Sequence, residues 1–251
     1  MSGIAKSYEK VLRKELRAHG AWWPVTNIIE IGSYGFFRGG VFEPVGNIKK
    51  DYPDIPLDIK TSPELKNLNF SSEGTKSLKF NIDGELVASF ADLGDADASL
   101  KFEFSKKNSI VLKADEISLT QIENAREVAL ALATKSDWKK KYKVVFGTYI
   151  GNQCLVICAR EAGSEFILNA SAEILEQIDG GKVEGGFSYT SSNNSTFDAI
   201  GKSGVIGIKL FKLNWLSGEI NVLAADQVTE NNILFEDNLG IDSEEDLEDD
   251  F

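Results

Sequence analysis

The sequence predicts an α+β protein, with a twisted, mainly antiparallel sheet, an N-terminal basic amphipathic helix and further helices at the periphery. Three observations predict it. Apolar and polar residues alternate cleanly within 77–112, the period of a two-faced strand. Helical spacing is confined to 4–19, 120–134 and 172–178, so strand segments outnumber helical ones. The strand segments are punctuated by turn residues, and no internal repeat is visible.

In residues 4–19, Ile4, Tyr8, Val11, Leu12 and Leu16 recur at helical spacing, and Lys6, Lys10, Arg13, Lys14 and Arg17 fill much of the remaining surface, diluted by Glu9 and Glu15. Such a helix either packs its stripe on the body as an ordinary surface helix or also offers its cations to anionic headgroups. Each cation near a membrane surface contributes about 1 kcal/mol. His19-Gly20 closes the segment, as glycine commonly does after a last turn. Trp22-Trp23-Pro24 follows. The glycine-punctuated stretch 28–48 reads as paired strands with tight turns, and its glycines do not fit a phosphate-binding strand-to-helix turn, which removes nucleotide binding. Residues 51–63, with Pro53, Pro56 and Pro63, read as a loop.

From 77 to 112, Leu78, Phe80 and Ile82 interleave with Lys79, Asn81 and Asp83, and Leu100, Phe102 and Phe104 with Lys101, Glu103 and Ser105. The turn signal 92–97 between them makes one long hairpin with arms 76–92 and 98–113. Its acidic residues do not reproduce the invariant glycine and terminal glutamate positions of a calcium loop. Thr120 and Glu123 suggest a capping box for a helix over 120–134, with Ile122, Ala125, Ala129, Leu130 and Ala133 on its apolar face. Trp138 and a lysine-rich run lead into strands at 144–149, 154–159 and 164–169, a helix at 172–178, and strands at 183–190 and 205–213.

With 42% hydrophobic residues the chain is far too apolar to be disordered, and it is long enough for one generous domain. No run approaches the roughly 18 to 20 apolar residues of a spanning helix, and the N-terminus lacks the features of a secretory signal, so the expectation is a cytoplasmic location. The net charge of −12 is unevenly spread: 226–251 holds 11 acids and no Lys or Arg. Removing these 11 from the 39 acids leaves 28 against 27 Lys and Arg, so 1–225 is nearly neutral. The expected organisation is a body, 1–225, and an acidic, flexible tail, 226–251, which is either simply solvated or a shield for a basic surface. Cys154 and Cys158 stand about 13 Å apart on one face of a strand, too far for a disulfide, and read as buried thiols. With the single His19 and these two cysteines, no catalytic constellation or zinc site can be assembled. The sequence thus points away from an enzyme and implies no cofactor, metal, nucleic acid or small-molecule substrate.

The succession from the hairpin at 77–112 through the helix at 120–134, the run Lys141-Tyr142-Lys143-Val144-Val145-Phe146, the hairpin from about 153 to 197 and the closing run Gly204 to Leu213 resembles the pore-forming N-terminal domain of gasdermins. The agreement in order spans about 70–213. The large C-terminal autoinhibitory domain of animal gasdermins is absent, as in the compact gasdermin-like proteins of fungi and bacteria, and the fungal cell-death regulators of nonself recognition in particular. This resemblance implies a gasdermin-like fold and a protein that binds acidic phospholipids, oligomerises with itself or an incompatible variant, and permeabilises the plasma membrane. It further implies that Lys6, Lys10, Arg13, Lys14 and Arg17 bind headgroups, Trp22 and Trp23 anchor in the interface, and Leu78, Phe80, Ile82, Leu100, Phe102 and Phe104 face lipid after insertion.

Physical reasoning narrows the route. Every backbone polar group inside a bilayer must be paired, so a chain without a spanning helix crosses only as strands of a closed barrel. A crossing strand needs about 9 to 11 residues, which both arms supply. One chain offers too few strands to close a polar-lumened barrel, so many copies are required. The same alternation also describes an ordinary half-buried sheet, and a peripheral lipid- or protein-binding module that never inserts is the alternative.

Overall fold

The computed structural model describes residues 2–62, 67–183, 185–191, 196–213 and 220–222. The predicted α+β class with a mainly antiparallel sheet is what the chain forms. Helix α1 (Ser2–Leu16) leads to β1 (His19–Gly20), β2 (Ser33–Arg38) and β3 (Val41–Asn47), the last two joined through Gly39 and Gly40. Both glycines have positive φ, +54° and +80°, as a two-residue hairpin turn demands. Next come α2 (Ile48–Asp51), β4 (Ile59–Thr61), β5 (Leu68–Ser71), β6 (Thr75–Phe80), β7 (Leu86–Val87), β8 (Asp97–Phe104) and β9 (Ser109–Ile122). Helix α3 (Ala125–Ala133), β10 (Lys143–Ala159), β11 (Ser164–Ser171), α4 (Ala172–Gly180), β12 (Ser188–Ser191), β13 (Thr196–Leu213) and β14 (Ile220–Val222) complete the order.

The structure corrects several sequence-based boundaries. The helix expected from Thr120 begins at Ala125, because β9 continues to Ile122, where it pairs with β4. No capping box forms: Asn124 precedes the helix, and its side chain accepts from the Asp58 N–H and donates to the Pro56 carbonyl. The buried stripe of α3 is Val128, Ala129 and Leu132, leaving Leu130 exposed. The strands expected at 144–149 and 154–159 are one 17-residue strand, interrupted by a bulge near Gln153, whose φ is +44°. Strand β13 begins at Thr196, well before the expected 205, because it pairs along almost all of β10. The segment expected as strand over 183–190 is strand only at β12, and α1 ends at Leu16. The proline-containing loop encloses the short strand β4.

The expected long hairpin is also divided. The arm 98–113 is broken at 105–108, where Asn108 takes a left-handed φ of +57° and the chain passes from β8 in one sheet to β9 in another. A matching reversal at 160–163, closed by Gly163 at φ +82°, joins β10 to β11. The larger sheet therefore contains the neighbours β5, β9, β10 and β13, and the smaller sheet contains β6, β8, β11 and β12 in the same order. The central register is unchanged across the reversals. Phe104 pairs with Ser164 and Ser109 with Ala159, five residues on in one strand and five back in the other. The two sheets thus amount to one four-stranded ribbon folded over on itself.

This folding buries the larger sheet on both faces. Ile110, Leu112, Ala114, Cys154, Val156 and Cys158 pack with Ile4, Ala5, Tyr8, Val11 and Leu12 of α1. The alternate residues Val111, Leu155, Ile157 and Ala159 pack with Leu100, Phe102, Phe104, Phe166 and Leu168 of the smaller sheet and Ala172, Leu175 and Ile178 of α4. Each large apolar side chain so buried contributes about 1.5–3 kcal/mol. At the other end of the sheet, Tyr34, Tyr52, Trp138 and Tyr142 join α2 to the segment after α3.

Candidate membrane interface

The cations at 6, 10, 13, 14 and 17 form one stripe on and just beyond α1, because residues three and four apart share a helix face. Lys10, Lys14 and Arg17 are exposed and Lys6 is half-buried. Arg13 turns partly inward instead: its Nε donates to Glu9 Oε1 at 2.7 Å, and its Nη2 lies 3.4 Å from His19 Nδ1.

Glu9, expected on the surface, is buried, with His19 Nδ1 also 2.7 Å from its Oε1. The Gly20 N–H donates to Oε2. Because a carboxylate only accepts, Nδ1 of His19 carries the hydrogen toward it. Burial alone would push the Glu9 carboxyl up; His19, Arg13 and the Gly20 N–H oppose it, and the carboxyl is held below its ordinary range. A group lowered on folding stabilises the fold above its unfolded value, and that contribution is lost as pH falls through the folded value. In thermal melts, wild type is expected to be more stable than Glu9→Gln at pH 7 and to approach it as the pH falls below about 4.3, the ordinary glutamate value. Coincident melting temperatures at pH 7 would contradict this.

Beyond α1 the chain crosses the edge of β13. Trp22 is only 5% exposed and packs on Tyr8, with ring centroids 5.9 Å apart; Trp23 is half-buried, with the Arg160 guanidinium 5.6 Å from its ring centroid. In this conformation Trp22 does not reach an interface. Among the described residues Ile28, at 86%, is the most exposed large apolar side chain. Its loop is stapled to β13 by Asn27, whose Nδ2 lies 3.0 Å from the Val205 carbonyl and within similar reach of those of Ala21 and Trp23. Sequence reasoning placed Ile28 in a strand segment, and no local signal marks its exposure.

The residues expected to face lipid fall into two groups. Leu100, Phe102 and Phe104 are buried against α4 and the larger sheet; Leu78 and Phe80 are half-buried, and Ile82 is 67% exposed. Ile82 stands beside exposed Leu86 at the tip where Asn81 Oδ1 accepts from the Glu85 N–H. The opposite face carries Lys101, whose Nζ is 2.9 Å from Glu103 and 2.7 Å from Glu165 on the neighbouring strand, and it carries Leu78 and Phe80 as well. These pair with Lys101 and Ser99, whereas Lys79 pairs with Leu100, so the β6–β8 register overturns the expectation that the apolar residues of both arms share one face. On the apolar face, Lys79 of β6 lies 2.7 Å from Asp179 Oδ2, and buried Lys113 of β9 donates to the Asp179 carbonyl and to Asn69 Oδ1, each at 2.8 Å. Two strands are thereby tied to the C-terminus of α4, where cations also meet the negative end of the helix dipole.

Among the described residues no helix is long and apolar enough to cross a membrane, and no three His, Cys, Asp or Glu side chains gather as a metal site would require. The acidic segment 226–251 lies outside the described residues. No protein-family model and no curated protein matches the chain. Among solved structures it is similar to a bacterial gasdermin from Bradyrhizobium tropiciagri, at 13% identity over 86% of this chain and 90% of that one, with a TM-score of 0.36. It is also similar to the gasdermin A3 membrane pore, at 11% identity over 90% of this chain and 97% of that one, with a TM-score of 0.30.

Proposed function

We propose that this chain is a gasdermin-like pore former. It binds acidic phospholipids through the α1 stripe, assembles with further copies of itself or an incompatible variant, and inserts strands that permeabilise the plasma membrane and kill the cell, in the manner of the compact fungal regulators it resembles in sequence order.

The observation that carries this reading is the folded-over ribbon. Opening the reversals at 105–108 and 160–163 would lay β8 in line with β9 and β11 in line with β10, with no change of central partners. The pairs from Asp97 with Ser171 to Gln121 with Gly147 would then form one two-stranded ribbon. Each strand would be far longer than the about 9 to 11 residues that cross a bilayer. Its smaller-sheet half already has one apolar face, Leu100, Phe102, Phe104, Phe166 and Leu168, and one charged face, the division that a lipid-facing, water-lined barrel requires. Insertion trades burial against α4 and the larger sheet for burial against lipid, so little apolar surface need meet water at the end states.

Electron microscopy of the full chain on phosphatidylserine-containing bilayers tests this. Ring- or arc-shaped assemblies that span the bilayer are expected. Chain bound as dispersed single copies would favour a peripheral module, for which the basic stripe and the exposed Ile28 suffice.

A further inference from the structure

Arg13 occupies a double position. It lies in the middle of the cationic stripe, between Lys10 and Lys14 in sequence, and its partly exposed guanidinium is also a counter-charge for the buried Glu9 carboxylate. Glu9 in turn fastens α1 to β1: its two oxygens meet His19 Nδ1 and the Gly20 N–H, and β1 pairs with Ile208 and Gly207 of β13. The His19 ring packs edge-on against Phe37 of β2, 4.8 Å between centroids, with the Lys143 ammonium of β10 on the same phenyl ring. A buried carboxylate that loses a neighbouring cation becomes costly to keep buried. Phosphate, for its part, matches the planar guanidinium as well as a carboxylate does.

We propose that Glu9, Arg13 and His19 form a latch operated by phosphate: a phosphate group drawn to the α1 stripe takes the Arg13 guanidinium, leaves Glu9 short of counter-charge and frees α1 from the sheet beneath it. This rests on the lipid-binding reading of α1 and supplies its consequence. The freed helix uncovers Trp22, which the closed form holds against Tyr8, and removes the cover from one face of β9 and β10. The phosphate chemistry is shared by a lipid headgroup and free phosphate; the latch takes it from the membrane, where many headgroups meet the whole stripe at once.

The chain carries its own reporter. Cys154 and Cys158 are the only two cysteines in the sequence, and both are buried beneath α1. Burial pushes the Cys154 thiol up to about 12 and the Cys158 thiol higher, so neither is reactive while α1 is seated. Maleimide labelling of the full chain is measured in buffer, with phosphatidylcholine vesicles, with mixed phosphatidylcholine–phosphatidylserine vesicles, and with inorganic phosphate. Wild type is expected to label slowly in all but the phosphatidylserine arm, where the rate rises about tenfold or more, a shift that differential binding of about 1.4 kcal/mol produces.

Arg13→Gln is expected to label about tenfold faster than wild type already in buffer, with vesicles adding little, whereas Arg13→Lys, which keeps the charge, stays near the wild-type rate. Circular dichroism checks that each variant is folded; should Arg13→Gln not fold, the wild-type arms and Arg13→Lys still decide. Folded Arg13→Gln labelling at the wild-type rate overturns the latch. So does wild type that sediments with phosphatidylserine vesicles and labels no faster, and acceleration by inorganic phosphate equal to that by vesicles overturns its operation by lipid. Faster labelling on vesicles without release of a trapped dye supports the latch while removing the pore-forming reading. Dye release without faster labelling does the reverse.

Discussion

Placing Asp at Ile82 is expected to abolish permeabilisation of anionic vesicles while leaving the fold unchanged. Ile82 is 67% exposed, so Ile82→Asp removes little packing, and its melting temperature should match wild type. Insertion with Leu78, Phe80 and Ile82 toward lipid requires β6 to shift by one residue against β8, where Leu78 now pairs with Lys101. In an arm so shifted the Ile82 side chain would face hydrocarbon, where a carboxylate costs about 3 kcal/mol, on the order of a hundredfold per copy, and the cost recurs in every copy of the ring. Phe102→Asp is a poorer test, since Phe102 is wholly buried between the two layers and an unpaired charge there would unfold the chain before any membrane is met. Asp83→Ala, one position further on and therefore on the other face of an extended arm, should leave release within about twofold of wild type. Full release by folded Ile82→Asp would remove this arm from the inserted structure.

Reversing Lys6, Lys10 and Lys14 together is expected to weaken sedimentation with phosphatidylserine vesicles by at least about a hundredfold, since three cations contribute about 1 kcal/mol each. Lys10 and Lys14 are exposed and Lys6 half-buried, so these changes act mainly on the surface charge. Arg13 is left out because reversing it would also strand Glu9 and confuse binding with stability. The loss should shrink as salt is raised, since wild-type binding itself is screened. Unchanged sedimentation would show that headgroups are met elsewhere on the molecule.

How much of this was legible in the sequence depended on the range of the contacts involved. The buried stripe of α1 was readable from Ile4, Tyr8, Val11 and Leu12, because helical spacing is local and one face of such a helix must be buried. The fate of Glu9 was not. Its partners follow a turn at Arg17, which has φ +48°, and are held by a strand almost 190 residues away, so neither period nor composition carries them. The alternation of Leu100, Phe102 and Phe104 predicted a two-faced strand correctly. It could not reveal the fold-over, because the same alternation is consistent with an arm that continues straight on. The break lies in Ser105 to Asn108, where a left-handed asparagine turns the chain, and the clearest local hint was the polar run itself. Trp22 read as an interfacial anchor because aromatic residues favour both a bilayer interface and a protein core. Only the packing on Tyr8 shows where it rests in this conformation.

The most direct measurement is release of dextran-conjugated dyes of graded size from vesicles with and without phosphatidylserine, on addition of the full chain. The pore-forming account predicts release only when the anionic lipid is present, with a sharp upper size limit set by a ring of fixed width and a steep dependence on protein concentration. Chain that sediments with the same vesicles yet releases none of the dyes would contradict it.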